Sequence, residues 1–248
     1  MKRLICIVIP MLLPLIGLAQ DAKKEGPKKE TINSYRVFAK DGEDDALKAA
    51  LAAHAQKYHT GNWKWHISQV LSGPDEGAYM IVEGPNSWTD LDGRGDLGAD
   101  HQKDYDTKIL PHVAKSTPEM YATLVPEAST VAGGAYSSTK TLLRHFYLKP
   151  GRGSHFQDQL KMLAKVWEKR GQNVVVWNSY FSGEPQYILA IRLKNGWKDL
   201  DEDIPTIRKV MDDLYGAGSY DRMLEGVEAN LDRIVDEMIE SKPELSSK

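Results

Sequence analysis

The sequence predicts an α+β fold in which one structural unit occurs twice, and three observations support this prediction. Residues 86–92 (NSWTDLD) are similar to residues 195–201 (NGWKDLD). Residues upstream recur in the same order and at nearly the same offset, Arg36 as Arg144, Phe38 as Phe146 and Tyr79 as Tyr187. Strand-like and helix-like segments follow one another in the same order in both halves. Matching residues with a nearly constant offset indicate a duplicated unit.

The first half gives the order strand, helix, strand, strand. Residues 34–40 are predicted as a strand. Residues 44–58 are predicted as a helix, because their apolar residues recur at spacings of three and four. Residues 63–71 and 77–83 are predicted as two strands joined by the turn residues SGPDE.

The second half has the same order. It is predicted to contain a strand over residues 141–149, a helix over 154–170, and a hairpin formed by 174–181 and 186–193.

Both halves then continue into sequence that is predicted as helical, residues 99–115 in the first half and 204–241 in the second. The first half runs on through residues 121–125 as a fourth strand, whereas the second has almost no residues left for one. This difference predicts asymmetry between the halves and a sheet edge that another chain could use. A homo-oligomer is therefore an open alternative.

The order β-α-β-β-α-β is that of the ferredoxin-like unit, a sheet with its helices on one face. A second copy on the same chain is the nearest cover for the other face. The chain therefore resembles the dimeric α/β-barrel superfamily, which includes antibiotic-biosynthesis monooxygenases, haem-degrading monooxygenases and chlorite dismutase-like proteins. The resemblance implies tandem ferredoxin-like repeats packed as an intramolecular α/β-barrel over residues 32–248. It rests on topology, because the sequence contains no diagnostic motif of any one of these families.

The N-terminus is predicted to be an export signal. Lys2 and Arg3 precede an almost wholly apolar run over residues 4–18, and Gly17-Leu18-Ala19 offers small residues for cleavage. Pro10 and Pro14 interrupt the run, so no membrane span is expected after cleavage. The mature protein is predicted to be periplasmic or extracellular.

The sequence thus divides into five predicted segments. They are a signal peptide (1–19), a flexible charged leader (20–31), a first ferredoxin-like repeat (32–128), a linker (129–140) and a second ferredoxin-like repeat (141–248).

Charge and cysteine content exclude several function classes. The formal net charge is −3, without the clustered basic face that nucleic-acid binding requires. The single cysteine, Cys6, lies in the predicted signal, so the mature chain has no thiol for a disulfide, a nucleophile or a metal. The sequence contains no Gly-rich phosphate loop after a strand and no Gly-x-Ser-x-Gly elbow.

Polar residues in the predicted strands are the candidates for a site inside the barrel. The predicted ligand-binding residues are His66, Ser68, Arg36, Asn178, Tyr180 and Tyr187, and the catalytic candidates are His145, Tyr147 and Arg144. A histidine in such an interior could be the axial ligand of a haem, so haem is an open alternative as cofactor. A one-residue error in strand register would place these side chains on the opposite face.

The sequence predicts no metal site. It contains seven histidines, His54, His59, His66, His101, His112, His145 and His155. None of them forms a His-x-x-x-His or His-Glu-x-x-His pair, and no cysteine can assist. The repeated Trp88 and Trp197 precede acidic residues at a predicted helix start and are interpreted as packing anchors.

Three functions remain open. The first is an exported barrel that binds a small molecule between its sheets. The second is a monooxygenase-like enzyme, either cofactor-free or haem-dependent. The third is a structural or interaction protein whose barrel is filled by side chains. Fold alone does not choose among them.

Overall fold

The structure is a computed structural model that describes residues 29–133 and 138–248. The predicted signal peptide, most of the charged leader and part of the linker lie outside the described residues, so they stay predictions. Within the described ranges, no helix has the length and apolar character needed to cross a membrane.

The described part of the first half contains five strands and three α-helices. They are β1 (Glu30–Ala39), α1 (Asp44–Tyr58), β2 (Trp65–Val70), β3 (Tyr79–Ser87), α2 (Trp88–Asp92), α3 (Ala99–Asp104), β4 (Val113–Ser116) and β5 (Met120–Leu124). Helix α1 has the bounds that the apolar spacing predicts. The single helix predicted over residues 99–115 is instead α3, one turn of π-helix (Tyr105–Ile109), a 3₁₀ turn (Leu110–His112) and then β4.

The second half contains four strands and three α-helices. They are β6 (Lys140–Leu148), α4 (Gly153–Lys169), β7 (Asn173–Ser179), β8 (Gln186–Leu193), α5 (Ile207–Tyr215), α6 (Ser219–Asn230) and β9 (Leu231–Ser241). Strand β8 has its predicted bounds, and β6, α4 and β7 begin one residue before their predicted starts.

Strand β9 corrects the prediction that residues 204–241 are helical throughout. The apolar residues of this segment are three or four apart, which is helical spacing: Leu231, Ile234, Val235, Met238 and Ile239. In the structure the segment is a strand whose inward face carries Arg233 and Glu237 as well as Val235 and Ile239. Charged residues on the inward face hid the alternation that would have indicated a strand.

Eight antiparallel strands close into a barrel in the order β1, β3, β2, β9, β6, β8, β7, β5 and back to β1. Strand β4 pairs with β1 beyond the end of β5. Because β9 pairs with β2 on one side and β6 on the other, the predicted free edge in the second half is wrong. The homo-oligomer stays a prediction.

Helices cover the outer surface of the barrel in two places. The apolar side of α1, including Leu47 and Leu51, packs in one cluster with outward residues of β1, β2 and β3. The apolar side of α4, including Phe156 and Leu160, packs in another with outward residues of β7 and β8. These two clusters stabilise the wall from outside and leave the inner face of the strands for a third cluster.

The repeated tryptophans differ in environment. Trp88 begins α2, where Ser87 and Asp90 form a capping box, and its ring lies 6.2 Å from that of Tyr121. Trp197 lies in a 3₁₀ turn and is 50% exposed, with Lys140 over its ring. The prediction of a buried packing anchor is therefore wrong for Trp197.

Candidate ligand site

The barrel encloses a cavity of about 890 Å³. Alternate residues of each strand point inward in a closed barrel. The inward residues of β6 are Thr141, Leu143, His145 and Tyr147, and those of β8 are Gln186, Ile188, Ala190 and Arg192. The described side chains therefore leave this space open, whereas the alternative of a structural protein expected them to fill it.

Most of the cavity wall is apolar. The lining includes Ile32, Val82, Leu143, Trp177, Ile188 and Ile239, all of which belong to the buried cluster on the inner face. Such a wall favours apolar ligands, because removing apolar surface from water is favourable.

One region of the lining is charged. Arg36 on β1 donates hydrogen bonds from Nη1 to Glu237 Oε1 at 2.9 Å and from Nη2 to Glu237 Oε2 at 2.6 Å. It also donates from Nη1 to Asp75 Oδ2 at 2.6 Å. The side chains of Arg36 and Glu237 are 12% and 4% exposed. The bidentate pair satisfies two charges that would be costly to bury alone.

His145 lies beside this pair. Its Nδ1 is 2.9 Å from Oε1 of Gln186, an amide oxygen that accepts the Nδ1 proton. Its Nε2 is buried without a hydrogen-bond partner and lies 3.6 Å from Oε2 of Glu237. In the neutral imidazole with the proton on Nδ1, Nε2 carries a lone pair that can accept a proton.

Tyr147 is two residues further along the same face of β6. Its ring is nearly parallel to that of His145 at 6.3 Å, and the Arg233 guanidinium lies 3.7 Å from its ring centre. Burial raises the pKa of the Tyr147 hydroxyl, assisted by Glu184 and Glu237 and opposed by Arg233. The hydroxyl is therefore protonated at neutral pH and can donate a hydrogen bond to a ligand.

Five of the nine predicted site residues line the cavity, namely Arg36, His66, Ser68, His145 and Tyr147. They come from three strands, β1, β2 and β6, and surround one interior. Burial lowers the pKa of His66, with Lys64 adding to the effect, so this imidazole is neutral at physiological pH.

The other four, Arg144, Asn178, Tyr180 and Tyr187, are not among the lining residues. Arg144 pairs with Asp236 on the outer face at 2.7 Å. Tyr187 is fully buried in the cluster beneath α4, where its hydroxyl donates to Gln157 Oε1 at 2.9 Å and lies 3.1 Å from that of Tyr180. Asn178 follows the inward-facing Trp177 and lies directly opposite Tyr187 on the neighbouring strand, so it belongs to the outward face.

The register explains this correction. Residues directly opposite each other in an antiparallel pair share a face of the sheet. Phe146 is opposite Tyr187, and His145 is opposite Ile188. His145 and Tyr187 therefore cannot both face inward, and Arg144, the neighbour of His145, must face outward.

Glu237 and Gln186 are not among the predicted site residues. Glu237 lies in the segment predicted as helical, so the sequence pattern gives no strand face for it. Gln186 had a usable signal, because alternation from the inward-facing Ile188 places it inside as well.

The cations that line the cavity do not fit the propionates of a haem. The Nε2 of His145, which would bind the iron, faces the carboxylate of Glu237. The haem propionates would need cations, but Arg36 is paired with Glu237 and Asp75, and Arg233 lies 2.6 Å from Glu184. The Arg192 guanidinium donates to the backbone carbonyl of Gly133 at 2.7 Å.

Titration with haem tests this conclusion. We expect no saturable Soret shift at micromolar haem in the wild type, His145→Ala or His66→Ala, because Arg36 and Arg233 are engaged by carboxylates and cannot hold the propionates. Visible absorption spectra of the wild type and both variants provide the measurement. A shift that disappears in one variant alone would make that histidine an axial ligand.

The charged pair predicts a pH dependence of stability. Burial alone would raise the pKa of the Glu237 carboxyl, but the contacts with His145 and Arg36 outweigh it and hold the pKa at about 2. Because this folded pKa lies below the unfolded value of about 4.3, the ionised carboxylate stabilises the fold at pH values above the unfolded pKa. This contribution to the free energy of unfolding, about 3 kcal/mol, is lost as pH falls towards 2.

Glu237→Gln should lower the free energy of unfolding by about 3–5 kcal/mol at pH 7, because it leaves Arg36 buried with one partner fewer. The difference in the free energy of unfolding between this variant and the wild type, measured by urea unfolding, should become smaller as pH falls from 5 to 3. Glu76→Gln, on the exposed β2–β3 turn, is the matched control and should follow the wild type. If this difference in unfolding free energy stayed constant from pH 5 to pH 3, the charge of Glu237 would not contribute to stability.

No protein-family model matches the chain, and no curated protein matches it. Several solved structures are similar in fold. One described as an anthrone oxidase-like protein has a TM-score of 0.55 at 12% identity, over 87% of this chain and 92% of that chain. A provisionally named monooxygenase from Lactobacillus acidophilus NCFM has a TM-score of 0.54 at 8% identity, over 89% of this chain and 97% of that chain.

A second provisionally named monooxygenase, from Fusobacterium nucleatum subsp. nucleatum ATCC 25586, has a TM-score of 0.55 at 11% identity. It is matched over 87% of this chain and 94% of its own. These structures have the dimeric α/β-barrel fold. The chain is a mixed α+β protein with a closed eight-stranded antiparallel barrel of the same fold.

Proposed function

We propose that this protein binds a small, mostly apolar molecule with one polar group inside its barrel. The observation that carries the proposal is the cavity of about 890 Å³, whose largely apolar wall also carries polar side chains, among them the group of Arg36, Glu237 and His145. This combination is typical of small-molecule sites, in which apolar surface provides affinity and a few polar groups fix orientation.

The polar region disfavours an anionic ligand. Arg36 is engaged by both Glu237 and Asp75, so its charge is not free to bind an anion, and the three side chains together carry a formal charge of −1. His145 would accept a hydrogen bond through Nε2 once its ring turns this nitrogen towards the ligand, and the Tyr147 hydroxyl can donate one. A phenol or a carbonyl group attached to an apolar body matches these two side chains.

A cavity-filling substitution tests ligand binding. Ala190→Phe adds a ring to the inner wall, and Ile234→Phe adds the same ring on the outer face of β9, where Ile234 is 46% exposed. With 1,8-dihydroxyanthraquinone as the probe, fluorescence titration should give at least a tenfold weaker Kd for Ala190→Phe and an unchanged Kd for Ile234→Phe. Equal affinities for the two variants would place the probe outside the barrel.

Cofactor-free oxidation is the second candidate function, and the environment of His145 favours it. His145 lines the cavity and its buried Nε2 lacks a hydrogen-bond partner, so this nitrogen would act as a general base once the ring turns it towards a bound ligand. Glu237 lies 3.6 Å away and would stabilise the imidazolium formed after proton transfer. The name of one similar structure, an anthrone oxidase-like protein, suggests anthrone as the substrate to test.

The proposed reaction balances with molecular oxygen as the oxidant. His145 Nε2 removes a proton from the methylene carbon of anthrone, and the resulting carbanion reduces O2 to form a carbon–oxygen bond. The imidazolium returns its proton to the peroxide, and loss of water forms the second carbonyl of anthraquinone. One anthrone and one O2 thus give one anthraquinone and one water. The Tyr147 hydroxyl would hold the existing carbonyl oxygen and stabilise its developing negative charge.

His145→Gln should lower the rate of anthrone oxidation by about 10²–10⁴-fold, because general-base catalysis typically contributes that much. Oxygen uptake and anthraquinone absorbance should rise in a one-to-one ratio in the wild type. The control is Arg144→Gln, one residue away on the outer face, which should keep the wild-type rate. An unchanged rate in His145→Gln would refute this role while leaving the binding proposal to its own test.

We also infer that the barrel consists of two fused ferredoxin-like repeats. The support is that both halves run strand, helix, strand, strand, helical segment and strand, with β1 corresponding to β6 and the pair β4 and β5 to β9. We also propose that the chain is exported, because Lys2 and Arg3 precede the apolar run over residues 4–18.

A further inference from the structure

Three histidines form a cluster outside the barrel, away from the candidate ligand site. His54, His59 and His101 each place one ring nitrogen so that the three nitrogens lie within 4.8 Å of one another. None of the three lines the barrel cavity. The cluster therefore requires an explanation of its own.

The fold brings the cluster together from α1 and α3. His54 lies on the buried side of α1 and is 0% exposed. His59 follows the end of α1, where its backbone N–H donates to Ala55 O, and its ring stacks on Trp65 at 3.7 Å. His101 lies on α3 and is partly exposed.

Two carboxylates determine which nitrogens are available. Nδ1 of His54 is 2.8 Å from Asp104 Oδ2, and Nδ1 of His59 is 3.1 Å from Glu83 Oε2. A carboxylate only accepts hydrogen bonds, so each Nδ1 carries the proton and each Nε2 keeps its lone pair. A carboxylate on the remote nitrogen is the usual arrangement of metal-binding histidines.

The available nitrogens lack adequate protein partners. Nε2 of His54 is buried without a hydrogen-bond partner, and Nε2 of His101 lies 3.3 Å from Nε2 of His59. A hydrogen bond between the latter two would still leave the buried Nε2 of His54 unsatisfied, which is unfavourable. One cation between the three rings would satisfy all three lone pairs.

We propose that His54, His59 and His101 bind a divalent transition-metal ion, with Asp104 and Glu83 orienting two of the imidazoles. Nitrogens on a tetrahedron of about 2.0–2.1 Å radius lie about 3.3–3.4 Å apart, which matches the distance between His59 and His101. Three neutral imidazoles suit Zn²⁺, and the fourth position would be taken by water.

The sequence did not predict this site because its ligands lack a helical metal-binding spacing. His54 and His59 are five residues apart, so they meet only because the chain leaves α1 between them. His101 arrives from a different helix.

Metal titration of the full chain without a polyhistidine tag tests the proposal. We expect one equivalent of Co²⁺ to produce the visible bands of a tetrahedral site, and Zn²⁺ to displace it. His101→Ala should weaken Zn²⁺ binding at least a hundredfold in calorimetry. His112→Ala is the matched control, because this histidine is also partly exposed but pairs with Glu43, and it should bind as the wild type does.

A second variant separates the roles of ligand and carboxylate. Asp104→Asn should bind Zn²⁺ about 10–100-fold more weakly, as expected for a partner on the remote nitrogen. Circular dichroism melts in the presence of EDTA should show that His101→Ala and Asp104→Asn remain folded. The proposal is overturned by no binding at micromolar Zn²⁺, or by stoichiometric binding that His101→Ala leaves unchanged.

Discussion

The pairing of β9 with both β2 and β6 is the constraint on which the rest of the structure depends. It joins the strands of the two halves along one seam, while β5 and β7 join them along the other. With both seams hydrogen-bonded, the sheet closes and acquires an inside. Strand alternation then fixes which side chains face the cavity and which face the covering helices. Without β9 the barrel would be open, and Glu237 would not reach Arg36.

The electrostatics of the cavity follow from this closure. Arg36 and Glu237 come from strands separated by β3 and β2, and their side chains meet inside the barrel. Arg36 is engaged by both Glu237 and Asp75, so its charge is not available to hold an anionic ligand. His145 is left with one nitrogen engaged by Gln186 and the other beside a carboxylate. The same pair that stabilises the interior thus determines what chemistry His145 can perform.

The alternation of side chains along a strand explains which site residues could be predicted. His145 and Tyr147 belong to a strand with clear bounds, and both side chains face the cavity. Arg144 precedes His145 on the same strand, so its side chain faces outward, contrary to its prediction as a site residue. Tyr187 is as polar as Tyr147, yet its register with Phe146 places it under α4. The histidine cluster shows a second limit. Its ligands come from α1, the residues after it and α3, and their approach depends on how these helices pack on the barrel wall.

The amino-acid sequence by itself determined the α+β class, the bounds of α1 and β8, and the similar order of elements in the two halves. These features depend on local periodicity and on turn residues, which act over a few positions of the chain. Tertiary structure decided that residues 231–241 form a strand, that the sheet closes, and which polar side chains meet. Those outcomes depend on pairing between distant segments, because the spacing of Ile234, Val235, Met238 and Ile239 also suits a helix. Only the two neighbouring strands, with their unpaired backbone groups, make β9 the favourable conformation.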